Sequence, residues 1–318
     1  MESPDPLPSK LLTLPADIQL EIFSYLSPID IAIFSFCSKE TYQIAKNVKK
    51  SSKLTVEISQ GNTGRFKISY PTFGNHFTFL VENNKKMGHR IRKNFNQVFE
   101  KQSGRFVMRN ERYVDTYWDD EHYGMTEIVK HLMDVFGFLQ ISTVHVSTDC
   151  LNRGLLDWIS GEYKGGVSQM SIDSTRTNTS EETMTYLLNF AKATQKHLTF
   201  YSDPSPDLSY RFNYDLESFR IESAKWIKLD HLMDLCHQVK DLTILNCSDL
   251  DLNGFLKEWV KRGENLKLKH LTISQKWDMD ELLAGIEHEK LDDHVENVFQ
   301  TPTGRMNTKG GYVVERHT

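Results

Sequence analysis

Leu11–Ala45 reads LLTLPADIQLEIFSYLSPIDIAIFSFCSKETYQIA, and this stretch decides the fold of the N-terminal part of the chain. Pro15 suits the first position of a helix, where a missing N–H costs nothing. Asp17 follows in the first turn, where a carboxylate complements the helix dipole. Ile18, Ile22, Tyr25 and Leu26 then recur at helical spacing, while Leu20 and Phe23 add apolar surface off that stripe. Ser27-Pro28 punctuates, with Ser27 as N-cap and Pro28 at the first helical position. The next helix carries Ile29, Ile31, Ile33, Phe34, Phe36 and Cys37, apolar almost all round, and such a helix must be buried on every side. A module of about 40 residues cannot supply that cover from its own chain.

The composition of the whole chain is that of a soluble globular protein: 39% hydrophobic and 25% charged residues over 318 positions. This length suggests one or two larger domains beside the small module. A net charge of −5 gives no general attraction to nucleic acid or anionic membrane. No run of 18 apolar residues is present, so no transmembrane helix is expected. Residues 1–10, with three prolines and two acids, read as a flexible lead unlike a signal peptide. Cys37, Cys150, Cys236 and Cys247 show no paired spacing and read as reduced thiols, which points to a cytoplasmic or nuclear protein.

The order Leu14-Pro15, the ladder Ile18/Ile22/Leu26, Ser27-Pro28, then Phe36-Cys37-Ser38-Lys39 entering a third helix over Thr41–Lys49, resembles the F-box. Many F-boxes carry tryptophan where this chain has Thr41. The resemblance implies a three-helix unit, 11–50, docking on a Skp-type adaptor and through it on a cullin. It implies Leu14, Pro15, Ile18, Ile22, Phe23, Leu26, Ile29 and Phe34 at that interface. The alternative is a generic three-helix cap on a larger domain.

Beyond the connector 49–53 the texture changes. Leu54–Ile58, Arg65–Tyr70, His76–Val81 and Gly104–Arg109 read as strands of a mainly antiparallel segment, 54–118. The basic run His89–Lys93 reads as a solvated face or, alternatively, a phosphate or receptor contact. From 124 to 285 strand-like pieces recur at Thr143–Val146, Gln169–Ile172, His197–Phe200, Ser218–Ile221, Asp241–Leu245 and His270–Ile273. Each is expected to be followed by an amphipathic helix, and helix starts are marked by Thr179 with Glu182 and by Asp278 with Glu281. Gly263 is expected to close a helix. A period of 21 to 29 residues is that of leucine-rich-repeat solenoids, here irregular and without the asparagine ladder. The segment 286–318 is expected to close the repeats with a β-hairpin. The expected fold is therefore α+β with an α/β part: three helices, an antiparallel β segment, an irregular leucine-rich-repeat-like β/α region and a hairpin. Leu252–Val260 followed by Leu268–Ile273 also resembles the type-2 F-box-associated domain of a nematode-expanded F-box family.

Catalytic signatures are not evident. Gly161-Glu-Tyr-Lys-Gly165-Gly166 lacks the hydroxyl of a phosphate loop and reads as a turn. No G-x-S-x-G or H-E-x-x-H motif occurs, and zinc-ligand spacing is missing. His231, Cys236 and His237 share a helix without sharing a face, which favours core or surface roles over metal ligation. Trp226 and Trp277 each follow a strand at a similar distance and read either as rim contacts for a partner or as staples packed on their own helix starts. Asp173, Arg176, Asp203, Lys225 and Lys276 are further contact candidates by position on the loop rim. The expectation is a non-enzyme without cofactor or metal. It would be a substrate receptor of a cullin-based ubiquitin ligase holding a protein substrate on the repeats; a scaffold without ubiquitination is the alternative.

Overall fold

The structure, a computed structural model, describes residues 11–48, 54–61, 64–69, 76–83, 95–98, 103–110, 113–137, 140–174, 179–202, 204, 208, 210–247, 250–262, 266–274, 278–301 and 304–313. It has N-terminal helices followed by mixed α/β sheet structure, and it divides into two compact units. One comprises 1–146 and 150–167, the other 147–149 and 168–318.

The first unit opens with helices α1 (Ala16–Ser24), α2 (Pro28–Ser35) and α3 (Lys39–Asn47). Pro15 stands one position earlier than expected, as the N-cap, and its carbonyl accepts from Gln19 N–H at 3.0 Å. The Gln19 amide also donates to the Leu12 and Leu14 carbonyls, at 3.0 and 2.8 Å, and holds the lead-in turn. Ser27 caps α2 by accepting from Asp30 N–H, with Pro28 at the first turn.

Seven strands follow: β1 (Thr55–Gln60), β2 (Gly64–Ser69), β3 (His76–Asn83), β4 (Phe95–Val98), β5 (Ser103–Asn110), β6 (Tyr113–Trp118) and β7 (Gln140–Ser147). Their order is β7-β1-β2-β3-β6-β5-β4. Pairing is antiparallel for β1–β2, β2–β3, β4–β5 and β5–β6, and parallel for β3–β6 and β1–β7. β4 and β6 were not expected. In β6 Val114 to Trp118 are all buried, Asp115 and Thr116 included, so the apolar–polar alternation that marks a half-exposed strand is missing. Helix α4 (Glu121–Phe136) is capped by Asp120, whose carboxylate accepts from His122 and Tyr123 N–H. It buries Met125, Ile128, Val129, Leu132 and Val135 along one stripe. Helix α5 (Arg153–Gly161) is capped by Asn152, which also donates to the His122 carbonyl at 2.8 Å.

The second unit contains β8 (Val167–Asp173), α6 (Glu181–Phe190), β9 (Thr194–Phe200), β10 (Leu216–Ile221), α7 (Leu229–Cys236), β11 (Val239–Leu245), α8 (Leu252–Arg262), β12 (His270–Ser274) and α9 (Met279–Leu282). Strands run in the order β12-β11-β10-β9-β8, with β9, β10, β11 and β12 mutually parallel. The inward row is apolar and closed: Leu198, Phe200, Phe219, Ile221, Leu242 and Ile244 are each at most 1% exposed. β13 (Glu289–Thr301) and β14 (Gly304–Val313) pair antiparallel.

One expected helix is replaced. Between β9 and β10 no helix occurs among the described residues; Leu208, Tyr210, Phe212 and Tyr214 are buried while Arg211, Asn213 and Asp215 are exposed. This period of two belongs to extended chain. Gln238 fixes the segment, accepting from Tyr214 N–H and donating to the Phe212 carbonyl, both at 2.7 Å. The hydroxyls of Tyr214 and Tyr210 reach Leu188 O and Asn189 Oδ1 at the end of α6. The α6 cap also moves by one residue: Ser180, not Thr179, accepts from Thr183 N–H, and Thr179 bonds the hydroxyls of Ser174 and Thr148 instead. Gly263 and the run His89–Lys93 lie outside the described residues.

Candidate functional site

The surface with most to explain is that of α1 to α3. Their inner side is closed by the chain itself. Phe23, Ile31, Ala45 and Val48 form one buried cluster with Val135 of α4, and Phe136 packs against it. Phe36, fully buried, enters an aromatic group made by the sheet and α4: it stacks on Phe106 and His131 and meets Phe79 edge-on. The Ser35 hydroxyl donates to Ala32 O and lies 2.9 Å from His131 Nε2. Burial pushes His131 down from 6.5 to about 4, so the ring is neutral and its N–H serves the Ser35 oxygen. Lys46 and Asp134 add an ion pair at the surface, 2.7 Å. Thr41 is buried and shares a reciprocal cap with Ser38: each backbone N–H donates to the other's hydroxyl, at 2.8 and 3.1 Å.

The outer side is open. Leu14, Ile18, Leu20 and Tyr25 are four of the five large hydrophobics exposed among the described residues, and Tyr25 is 80% exposed. Ile18 and Tyr25 fall with half-buried Ile22 on one stripe of α1, Leu14 precedes the N-cap Pro15 in the lead-in turn, and Leu20 points elsewhere. Exposed apolar side chains gathered in this way on a folded protein make this face the candidate docking surface. The arrangement divides the eight expected interface residues. Leu14, Pro15 and Ile18 are exposed, Ile22, Leu26, Ile29 and Phe34 are half-buried, and Phe23 is inside. Phe23 therefore supports the surface from behind, with the Phe34 ring edge-on at 5.5 Å. Leu20 and Tyr25 were not among the eight, although their apolar character in a first helix already exceeding one stripe was the available signal. The cover that α2 requires is supplied only in part by the chain itself. Ile31, Ala32 and Ser35 are buried, and Ile29, Ile33 and Phe34 are only partly so.

Of the rim candidates, Asp173 and Lys225 are exposed, while Arg176, Asp203, Lys276 and Trp277 lie outside the described residues. Trp226 is 1% exposed, donates from Nε1 to Ser223 O, and packs with Phe200, Phe212 and His231. It is a core residue stapling the start of α7, which withdraws it from the partner-contact set. His231 is buried, with its basicity lowered by burial, and Cys236 is pushed up to about 12 by burial, while His237 is exposed. No group of three or more His, Cys, Asp or Glu side chains among the described residues is placed to hold a metal ion. No described helix is long and apolar enough to cross a membrane.

Residues 11–53 match the F-box domain family model, and residues 210–273 match the model described as F-box associated. The chain carries an F-box and, behind it, an F-box-associated domain. Neither curated proteins nor solved structures gave a match. The F-box match spans α1 to α3, and the F-box-associated match runs from the extended segment before β10 through β12.

Proposed function

We propose that this F-box protein is the substrate-recognition subunit of a cullin-based ubiquitin ligase, bound through α1 and α2 to a Skp-type adaptor. The region 54–318 would hold a protein substrate, chiefly on a leucine-rich-repeat-like β/α part, 124–285, that follows the β-rich segment 54–118 and precedes a closing hairpin in 286–318. The observation that carries this is the two-sidedness of the F-box: the inner face is packed on α4 and the sheet, and Leu14, Ile18 and Tyr25 remain exposed on the outer one. Leu14, Pro15, Ile18, Ile22, Leu26 and Ile29 make the docking surface, with Phe34 at its margin. Asp173 and Lys225 remain contact candidates for the substrate. The receptor contributes proximity, raising the effective concentration of a substrate lysine at the charged enzyme, and no acid, base or nucleophile of its own. It works in the cytoplasm or nucleus.

The test is affinity capture of the full chain from cells, followed by its depletion. Co-captured adaptor and cullin, with a bound protein that accumulates on depletion, support the reading. Adaptor and cullin recovered without any accumulating target would favour the scaffold instead, and recovery of neither would remove both.

A further inference from the structure

The parallel ladder ends abruptly at β12. Leu242 pairs in register with Leu271 and Ile244 with Ile273. The two β11 residues are closed at 1% and 0% exposure, yet their β12 counterparts are only partly covered. The helices that follow the two strands differ in length: α8 after β11 has 11 residues, whereas α9 after β12 has four. The missing cover leaves an open groove of about 410 Å³, walled by Phe255 and Trp259 of α8 and by Leu268, Leu271 and Ile273. That volume lies in the range of sites that bury a ligand's anchor groups.

One charged side chain lines the groove, Lys269. It is exposed, and no carboxylate pairs with it among the described residues. Of the neighbouring cations, Lys261 is paired with Glu258 and Lys267 with Asp215, so Lys269 is the charge the groove itself offers. An apolar trough with a lysine at its edge is complementary to a ligand that is apolar and acidic at once.

We propose that the groove between α8 and β12 receives an acidic, apolar-rich peptide segment of a protein partner. A large apolar side chain seats against Trp259 and Leu271, and a neighbouring carboxylate pairs with Lys269. This rests on the substrate-receptor reading and gives its substrate a chemistry.

The experiment selects a displayed library of random twelve-residue peptides on the full-length chain, then titrates synthetic copies of the enriched peptides by fluorescence polarisation. Enriched peptides are expected to carry Leu, Ile, Phe, Met or Trp within two residues of Asp or Glu. Their affinity should fall at least tenfold in Trp259→Ala and roughly three- to tenfold in Lys269→Glu. Lys269 is exposed, so Lys269→Glu keeps the test valid should Trp259→Ala loosen α8. Failure to enrich, enrichment of basic sequences, or equal affinity in Lys269→Glu would overturn the proposal. So would a groove that binds decanoate, an apolar carboxylate, and no peptide. The variant Ile18→Asp separates the two readings: retained peptide affinity with no adaptor bound to wild type sinks the receptor role alone, and adaptor binding without peptide binding sinks the groove alone.

Discussion

The imidazole of His131 lies stacked on the ring of Phe36, centroids 4.1 Å apart and planes 21° apart. Phe36 ends the second F-box helix and His131 belongs to α4, so this contact joins the F-box to the following sheet as one packed unit. With Ser35 at Nε2 and Tyr42 tilted against the ring at 4.9 Å, the histidine is held where only its neutral form fits.

A pH dependence follows. The unfolded chain takes up the His131 proton near pH 6.5, while the folded chain does so only near pH 4. The unfolded state therefore binds more protons between these values, and stability falls as pH drops from 6.5 to 4, then levels off. The loss is on the order of 3 kcal/mol at most. Urea unfolding across this window should show it, and His131→Phe, which keeps the stack, should flatten it. An equally steep profile in His131→Phe would remove the assignment.

Thr41 occupies a place where many F-boxes have tryptophan, and here its hydroxyl caps α3 in exchange with Ser38. Thr41→Val keeps the shape and removes the cap. It should destabilise by about 1 kcal/mol in thermal unfolding, and an unchanged midpoint would show that the cap contributes nothing.

Gly124 on α4 faces the Trp118 ring so closely that a Cβ would collide with it. Gly124→Ala should therefore destabilise by roughly 1–3 kcal/mol through overpacking, against its favourable helix propensity. A stabilised variant would contradict this packing.

The extended segment before β10 depends on Gln238. Gln238→Ala leaves the Tyr214 N–H and the Phe212 carbonyl without their partner and should lower stability by about 2–3 kcal/mol. Tyr214→Phe, which removes the bond to Leu188 O and the hydroxyl contact with Tyr210, should lower it by about 1 kcal/mol. The two effects reversed in size would mean that the tyrosine, not the glutamine, anchors the segment.

The F-box helices were legible because their caps and apolar spacing are local, and Ser27-Pro28 and Ser38 act where the chain places them. The parallel strands were legible because each presents one closed face, so Leu242/Ile244 and Phe219/Ile221 alternate with polar residues. Three things were not. β6 is buried on both faces and loses its alternation. Residues 208–214 carry aromatics at a strand period that a repeat-minded reading fills with a helix. The division of F-box residues into inner and outer depends on α4, over a hundred residues from Leu14, and no local pattern marks Phe23 as inside and Tyr25 as outside.

In the proposed complex an adaptor covers Leu14, Ile18 and Tyr25, which the free chain leaves exposed. The most direct measurement is calorimetric titration of a Skp-type adaptor into the full chain and into Ile18→Asp, with both melting curves recorded. A one-to-one complex weakened at least 100-fold by Ile18→Asp, about 3 kcal/mol, with an unchanged melting temperature, is the expected result. Equal affinity in the two proteins, or no binding by a folded wild type, would exclude this face as the adaptor site.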